Sequence, residues 1–153
     1  MKLEIKAALQ IQKPVNEVFD AIVDPAKMSN YFISASTGRL EEGKQISWRF
    51  PEFNMEFPIR TGKIEKDKYI SFYWTMDGIE LIVEMNLAPW KNNSTLVTIT
   101  EKGRDNDEAG IRWLVGNTEG WANFLACLKA YLEYGINLRK GAFDFLKQPD
   151  ATV

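Results

Sequence analysis

The strongest periodic pattern in the chain lies between Gly116 and Gly135. Apolar side chains recur there at spacings of three and four residues, which places them on one face of a helix. These residues are Trp121, Phe124, Leu125, Leu128 and Leu132. Asn117 or Thr118 is expected to cap the start of this helix, and Gly135 suits the left-handed conformation that ends helices. The apolar face is too large for a single neighbouring helix to cover, so the pattern predicts packing against a sheet.

The beginning of the chain predicts one strand followed by two short helices. Apolar and polar residues alternate over residues 3–11, which is typical of a strand with one buried face. Pro14 suits the first turn of a helix whose apolar residues end before the Asp24-Pro25 pair. A second short helix is expected over residues 25–32, and the two helices together would close one end of the core.

The middle of the chain, residues 33–101, has no helical period and predicts a meander of about six strands. Short runs rich in Ile, Val, Phe, Tyr, Trp and Thr alternate with turn residues. Asp77-Gly78 favours a type I′ hairpin turn, and Gly62 is expected at a bulge where the alternation changes phase. The charged residues 101–109 lack apolar anchors, and they are predicted to form the most mobile internal loop.

Composition and charge narrow the classes of function. The chain has 153 residues with one cysteine, 19 basic and 21 acidic residues, and a net charge of -2. A single domain over residues 1–153 fits this length, and the lack of a basic excess argues against binding to nucleic acid. Cys127 has no partner for an internal disulfide, and the alternating N-terminus is neither a signal peptide nor a membrane helix. The expected location is therefore the cytoplasm, without insertion into a membrane.

The residues that common enzyme chemistry requires are missing from the sequence. There is no histidine, so the usual general base, nucleophile triads and zinc-binding sets are absent. The glycine motifs that bind nucleotides and the nucleophile elbow of hydrolases are absent too. Cys127 is expected to act as a small hydrophobe. We therefore predict no metal site, no cofactor and no catalytic residue, while an enzymatic activity and the oligomeric state stay open.

Several charged residues near strand and helix ends have two interpretations. They could enter an internal cavity as a polar contact for a ligand, or they could lie on the solvated outer surface. These residues are Arg49, Arg60, Asp77, Glu80, Glu84 and Arg112. Arg49, Glu80 and Glu84 alternate out of phase with apolar neighbours, so the outer surface is the favoured interpretation.

The order of elements resembles that of the START-like superfamily across nearly the whole chain. The resemblance rests on the opening KPVNEVFDAIVDPAKMSNYF, the hairpin TGKIEKDKYISFYW, the strand TLVTITEKG and the helix GWANFLACLKAYLEYG. The Gly120-Trp121 pair and the ending LKAYLEYG are similar to the branch related to the activator of the heat-shock-protein-90 ATPase. The resemblance implies an α+β helix-grip fold, in which a curved antiparallel sheet of six to seven strands wraps around the long C-terminal helix. It also implies a cavity between sheet and helix, which other members of the superfamily use for apolar molecules.

One set of residues is predicted to line this cavity. These residues are Phe32, Trp48, Phe50, Phe57, Phe72, Trp74, Leu81, Val83, Trp121, Leu125, Leu128 and Tyr131. The aromatic members could instead fill the core. The abundance of aromatic residues, with five Trp and nine Phe, favours a cavity with aromatic walls.

Three functions remain, in order of preference. The first is non-enzymatic binding of a small hydrophobic or amphipathic ligand, lipid-like or aromatic, in the cavity. The second is a protein-interaction module that serves a chaperone or another protein, as the resemblance to ATPase activators implies. The third is an enzyme similar to polyketide cyclases. A large apolar cavity with a convergent polar group would favour the first function, and an exposed apolar patch over a filled core would favour the second.

Overall fold

A seven-stranded antiparallel sheet forms the frame of the molecule in the computed structural model, which describes residues 1–147. The strands are β1 (Lys2–Ile11), β2 (Ala35–Ser36), β3 (Gln45–Arg49), β4 (Glu56–Glu65), β5 (Tyr69–Met76), β6 (Ile79–Trp90) and β7 (Ser94–Asp105). Their order in the sheet is β1-β7-β6-β5-β4-β3-β2. The first strand, β1, is therefore an edge strand that pairs with β7, and Leu9 lies opposite Val97 in this pair. Positions 148–153 of the predicted domain lie outside the described residues.

Two short helices and one long helix accompany the sheet. They are α1 (Val15–Val23), α2 (Pro25–Met28) and α3 (Glu108–Tyr134), with 3-10 turns at Lys91–Asn93 and Asp144–Leu146. Pro14 precedes α1, and Asp24 caps α2 by accepting a hydrogen bond from Ala26 N at 2.9 Å. The predicted order of one strand, two short helices, six strands and one long helix is confirmed. Across residues 1–147, no helix is long and apolar enough to cross a membrane.

Two local features predicted from glycine positions are confirmed. Asp77 and Gly78 both have positive φ, 53° and 76°, as a type I′ turn between β5 and β6 requires. The register of β4 against β5 shifts around Gly62. A Cβ atom at Gly62 would lie 2.6 Å from Ser71 Oγ, so the close approach of the two strands also favours glycine.

The prediction of a mobile loop over residues 101–109 is wrong. β7 continues to Asp105, and α3 begins after an N-cap at Asp107, whose Oδ1 accepts a backbone hydrogen bond at 2.7 Å. Glu101 occupies an inner-face position of β7 and is fully buried. The sequence shows no apolar anchor here because a carboxylate takes its place.

The long helix starts at Glu108, earlier than predicted. The prediction missed its first two turns because they bury few side chains. In the first two turns Gly110 and Trp113 are the buried residues, so no continuous apolar face is visible in the sequence. Asn117 and Thr118, the predicted caps, lie inside the helix. The predicted end is confirmed, since Gly135 follows the helix with a φ of 65°.

The core lies between the inner face of the sheet, the short helices and α3, which packs mainly against β1. Four of its residues, Trp48, Phe72, Leu125 and Leu128, are at most 1 % exposed, and we call them the closed core. The rings of Trp48 and Phe72 lie edge to face, with centroids 5.1 Å apart. The interior beneath the middle of the helix is therefore filled with side chains.

Candidate ligand-binding site

An apolar pocket opens at one end of the core, between β5, α3 and the segment that follows α3. Its volume is about 260 Å³, below the range of roughly 300–1,000 Å³ typical of sites for drug-sized ligands. Its lining consists of Phe32, Phe50, Glu52, Phe53, Phe57, Trp74, Met76, Asn117, Gly120, Trp121, Arg139, Phe143 and Leu146. We call this space the aromatic pocket, because seven of its thirteen lining residues are Phe or Trp.

Regular structure holds two sides of the aromatic pocket. Trp74 belongs to β5 and Trp121 to α3, and their ring centroids are 5.8 Å apart. Gly120 precedes Trp121 in the helix, and a Cβ atom there would have no heavy atom within 4 Å. The missing side chain at Gly120 therefore leaves part of the pocket open.

The third side of the pocket comes from residues 136–147, which we call the post-helix segment. Gly135 ends α3 in the left-handed conformation, and the chain then contributes Arg139, Phe143 and Leu146 to the lining. Within this segment, Asp144–Leu146 form a 3-10 turn, and the rest is irregular. The pocket thus combines walls from β5 and α3 with irregular chain, both from the post-helix segment and from residues 50–53 between β3 and β4.

A buried carboxylate behind the pocket holds two of its aromatic walls. Glu101 on β7 is fully buried. Its Oε2 accepts a hydrogen bond from Trp74 Nε1 at 2.8 Å. Its Oε1 accepts from Trp121 Nε1 at 2.8 Å and from Asn117 Nδ2 at 3.1 Å. All three donors belong to residues of the lining, so Glu101 positions the walls on both the sheet and the helix.

A second polar element is an ion pair within the lining itself. Arg139 Nη2 donates to Glu52 Oε1, and the two side chains are 14 % and 5 % exposed. The guanidinium carbon lies 4.6 Å from the centroid of the Phe143 ring, and 5.6 Å from the centroids of Phe32 and Phe50. Arg139 Nε is buried and has no hydrogen-bond partner among the described residues. The pocket therefore holds a cation with unused donors among aromatic rings.

The aromatic pocket brings together five of the twelve residues predicted to line a cavity. These five are Phe32, Phe50, Phe57, Trp74 and Trp121. Six others pack in the filled interior and are at most 1 % exposed: Trp48, Phe72, Leu81, Val83, Leu125 and Leu128. Tyr131 stacks on Tyr31, with ring centroids 5.7 Å apart, and is not part of the lining. Alternation along a strand identifies the inner face of a sheet, but it does not tell how deep each position lies.

Eight lining residues are not among those predicted. They are Glu52, Phe53, Met76, Asn117, Gly120, Arg139, Phe143 and Leu146. Met76 shares the phase of Trp74 on β5, and the run GAFDFL after the helix is rich in apolar residues, so both signals were available in the sequence. Glu52, Phe53 and Arg139 lie in irregular chain, where periodicity does not indicate the direction of a side chain.

The charged residues considered as polar contacts for a ligand lie outside the aromatic pocket and pair with other side chains. The pairs are Arg49 with Glu56, Arg60 with Glu80 and Arg112 with Glu108, all at 3.0 Å, Asp77 with Arg104 at 3.3 Å, and Glu84 with Lys102 at 3.5 Å. The favoured interpretation, that these residues belong to the outer surface, is confirmed.

The titratable groups of the core do not form a nucleophile or a metal site. Burial raises the pKa of the Cys127 thiol, and the nearby Arg139 offsets this only in part, so the thiol stays protonated and unreactive. Burial also raises the pKa of Tyr31 well above its ordinary value, with a smaller contribution from Tyr131. In the part of the chain that the structure describes, no cluster of His, Cys, Asp and Glu side chains could hold a metal ion.

A long helix held in a curved antiparallel sheet is the helix-grip arrangement of the START-like superfamily, so the predicted fold class is confirmed. The model of the family described as Activator of Hsp90 ATPase homolog 1-like protein matches residues 12–133. The chain belongs to this family, as its resemblance to the ATPase-activator branch predicted. No curated protein matches the sequence significantly.

Three solved structures illustrate the relationship. The protein SSP2350 from Staphylococcus saprophyticus is 33% identical with a TM-score of 0.76, over 88% of this chain and 94% of that one. The Aha1 dimer from Colwellia psychrerythraea is 18% identical with a TM-score of 0.73, over 87% and 98% of the two chains. DynU16, from the dynemicin biosynthetic locus, is 21% identical with a TM-score of 0.78, over 88% and 48%. The last two similarities show a shared fold alone.

Proposed function

We propose that the protein binds a small apolar molecule in the aromatic pocket without changing it chemically. The observation that carries this proposal is an open pocket whose aromatic walls are held from behind by Glu101. The lining contains no nucleophile beside a base, which favours binding over catalysis. Membership of the family supports this class of function, since it points to ligand binding or cyclase-like chemistry.

The size of the pocket limits the ligand. A volume of about 260 Å³ lies below the usual range of roughly 300–1,000 Å³. We therefore expect a molecule of one or two rings, with flat faces that pack against Trp74 and Trp121, instead of a lipid with a long chain.

Gly120 offers a way to fill the pocket without disturbing the fold. The Gly120→Leu side chain enters the pocket from a helix interior, where Leu is favoured over Gly by roughly 1 kcal/mol. Gly116→Leu is the matched control, because Gly116 lies one turn earlier in α3, has equal space for a Cβ atom and does not line the pocket. Binding of 2-acetylnaphthalene can be followed through the quenching of tryptophan emission.

We expect the original protein and Gly116→Leu to bind 2-acetylnaphthalene with micromolar Kd. Gly120→Leu should bind at least about tenfold more weakly, and thermal unfolding should show that neither variant is less stable than the original protein. If the original protein does not bind, or if the two variants bind equally well, the proposed function is wrong.

A protein-interaction role is the second candidate, and exposed apolar side chains near the end of α3 favour it. They are Tyr134, Ile136, Leu138 and Phe145, which are 69%, 53%, 51% and 77% exposed. The direct measurement is the ATPase rate of a heat-shock-protein-90 chaperone with and without this protein. Stimulation that persists in Gly120→Leu would favour this role over ligand binding.

A further inference from the structure

We propose that the aromatic pocket selects neutral aromatic molecules that carry an oxygen acceptor, and that this oxygen accepts a hydrogen bond from the Arg139 guanidinium. The inference rests on the proposed function and adds the chemical class of the ligand. Two features of the lining lead to it: the unused donors of Arg139 and the negative charge of Glu52.

Arg139 has more hydrogen-bond donors than it uses. A guanidinium carries about five N–H groups, and among the described residues Arg139 forms one side-chain hydrogen bond, from Nη2 to Glu52. Its Nε is buried without a partner. The remaining N–H groups of its two Nη atoms are not buried in this way, so an oxygen on a bound molecule gains a charge-assisted hydrogen bond from them.

Among the other side-chain N–H donors of the lining, the two indoles are already occupied, and Asn117 uses one of its two amide N–H groups. Trp74 Nε1, Trp121 Nε1 and Asn117 Nδ2 each donate to Glu101. Arg139 therefore has the most donors to spare among the lining residues, and it is the one that carries a positive charge. The rings of Phe32, Phe50 and Phe143 lie 4.6 to 5.6 Å from its guanidinium carbon, so a flat ligand that reaches Arg139 also packs against aromatic rings.

The charge of Glu52 determines which acceptor is preferred. The Glu52 side chain is 5 % exposed and is paired with Arg139, so the polar part of the lining has no net charge. A ligand carboxylate would place a second negative charge beside Glu52 in surroundings of low dielectric constant, where like charges repel strongly. A ketone, ether or phenol oxygen accepts the same hydrogen bond without this repulsion.

Three ligands of similar shape separate these contributions: 2-acetylnaphthalene, 2-ethylnaphthalene and 2-naphthoate, compared by equilibrium dialysis at neutral pH. In the original protein, 2-acetylnaphthalene should bind about five- to tenfold more tightly than 2-ethylnaphthalene, the worth of one hydrogen bond. The carboxylate 2-naphthoate should bind more weakly than the ketone.

Variants assign the preferences to residues. Arg139→Met combined with Glu52→Leu removes the donors without leaving an unpaired buried charge or adding the N–H groups of an amide, and the ketone and 2-ethylnaphthalene should then bind equally well. Glu52→Gln alone should raise the affinity for 2-naphthoate by about tenfold or more, because Arg139 is released to pair with the ligand. Arg112→Met is the matched control, since Arg112 is an exposed arginine outside the pocket and should change none of these ratios.

Distinct results would overturn this inference. Equal binding of the ketone and 2-ethylnaphthalene by the original protein would show that Arg139 does not contact the ligand, as would a preference that survives the double variant. Tightest binding of 2-naphthoate would show that the pocket selects anions. If none of the three ligands binds, the proposed function fails together with the inference.

Discussion

Phe72 and Trp74 are neighbours on the inner face of β5, yet Phe72 is sealed in the closed core and Trp74 lines the aromatic pocket. Their ring centroids are 5.4 Å apart. Phe72 is fully buried and packs against Trp48. The space beside Trp74 is bordered by Gly120, which has no side chain. The same alternation along one strand therefore produces a filled core or an open pocket, depending on what the opposite element contributes.

The two regions also differ in polar content. The closed core consists of apolar side chains, whereas the aromatic pocket has the Arg139–Glu52 pair in its lining and Glu101 behind its walls. Buried polar groups cost stability unless they are paired, so they are expected at positions that serve recognition. Substitutions in the closed core should therefore act on stability, and substitutions in the pocket should act on binding.

The largest expected effect is the loss of stability in Leu128→Ala. Leu128 is fully buried, and its truncation should lower the free energy of unfolding by about 2–5 kcal/mol because a cavity remains. Phe143→Ala in the pocket removes a larger but partly exposed side chain, and it should cost about 1 kcal/mol or less while weakening the binding of 2-acetylnaphthalene. Urea denaturation measures both losses. Equal losses at the two positions would remove the distinction between the regions.

An intermediate effect is expected at Glu101, which belongs to neither lining nor closed core. Glu101→Leu should lower the free energy of unfolding by about 3 kcal/mol, because the buried N–H groups of Trp74 and Trp121 lose their acceptor. Glu101→Gln keeps one carbonyl oxygen and should cost less. Tryptophan emission should shift in both variants as the indoles lose their fixed positions. An unchanged emission spectrum and unchanged stability would show that Glu101 does not hold the walls.

The smallest expected effect is that of Cys127→Ala. Cys127 is buried in α3 but does not line the pocket. The substitution should cost about 1 kcal/mol and leave the binding of 2-acetylnaphthalene unchanged. Weaker binding at unchanged stability would place Cys127 in contact with the ligand.

The buried thiol of Cys127 should also make the stability of the protein depend on pH. Burial raises the pKa of the Cys127 thiol in the folded protein. Its contribution to stability is therefore fully present below the pKa of the unfolded chain, about 8.5, and is lost as the pH rises through the folded pKa. Between neutral pH and this alkaline range, the free energy of unfolding should fall more steeply in the original protein than in Cys127→Ala. Parallel curves for the two proteins would contradict this prediction.

The errors made from the sequence occur where a polar residue takes an inner position or where the chain is irregular. Glu101 interrupts the apolar alternation of β7, and a strand was therefore predicted as a loop. Arg139 has no periodic neighbours that would indicate its direction, so it was not predicted in any site. By contrast, Gly62 and Gly78 mark the bulge and the hairpin correctly, because the conformational freedom of glycine acts locally.

Patterns within the chain were sufficient for the order of strands and helices, the inner face of most strands and the end of α3 at Gly135. These features depend on residues that are close in the sequence, through side-chain periods and backbone conformation. The pocket depends on residues that are distant in the sequence: 27 positions separate Trp74 from Glu101, and 87 separate Glu52 from Arg139. Contacts between residues so far apart in the sequence produce no periodic pattern along the chain. Tertiary packing therefore decided how deeply each aromatic ring is buried and which polar groups the pocket contains.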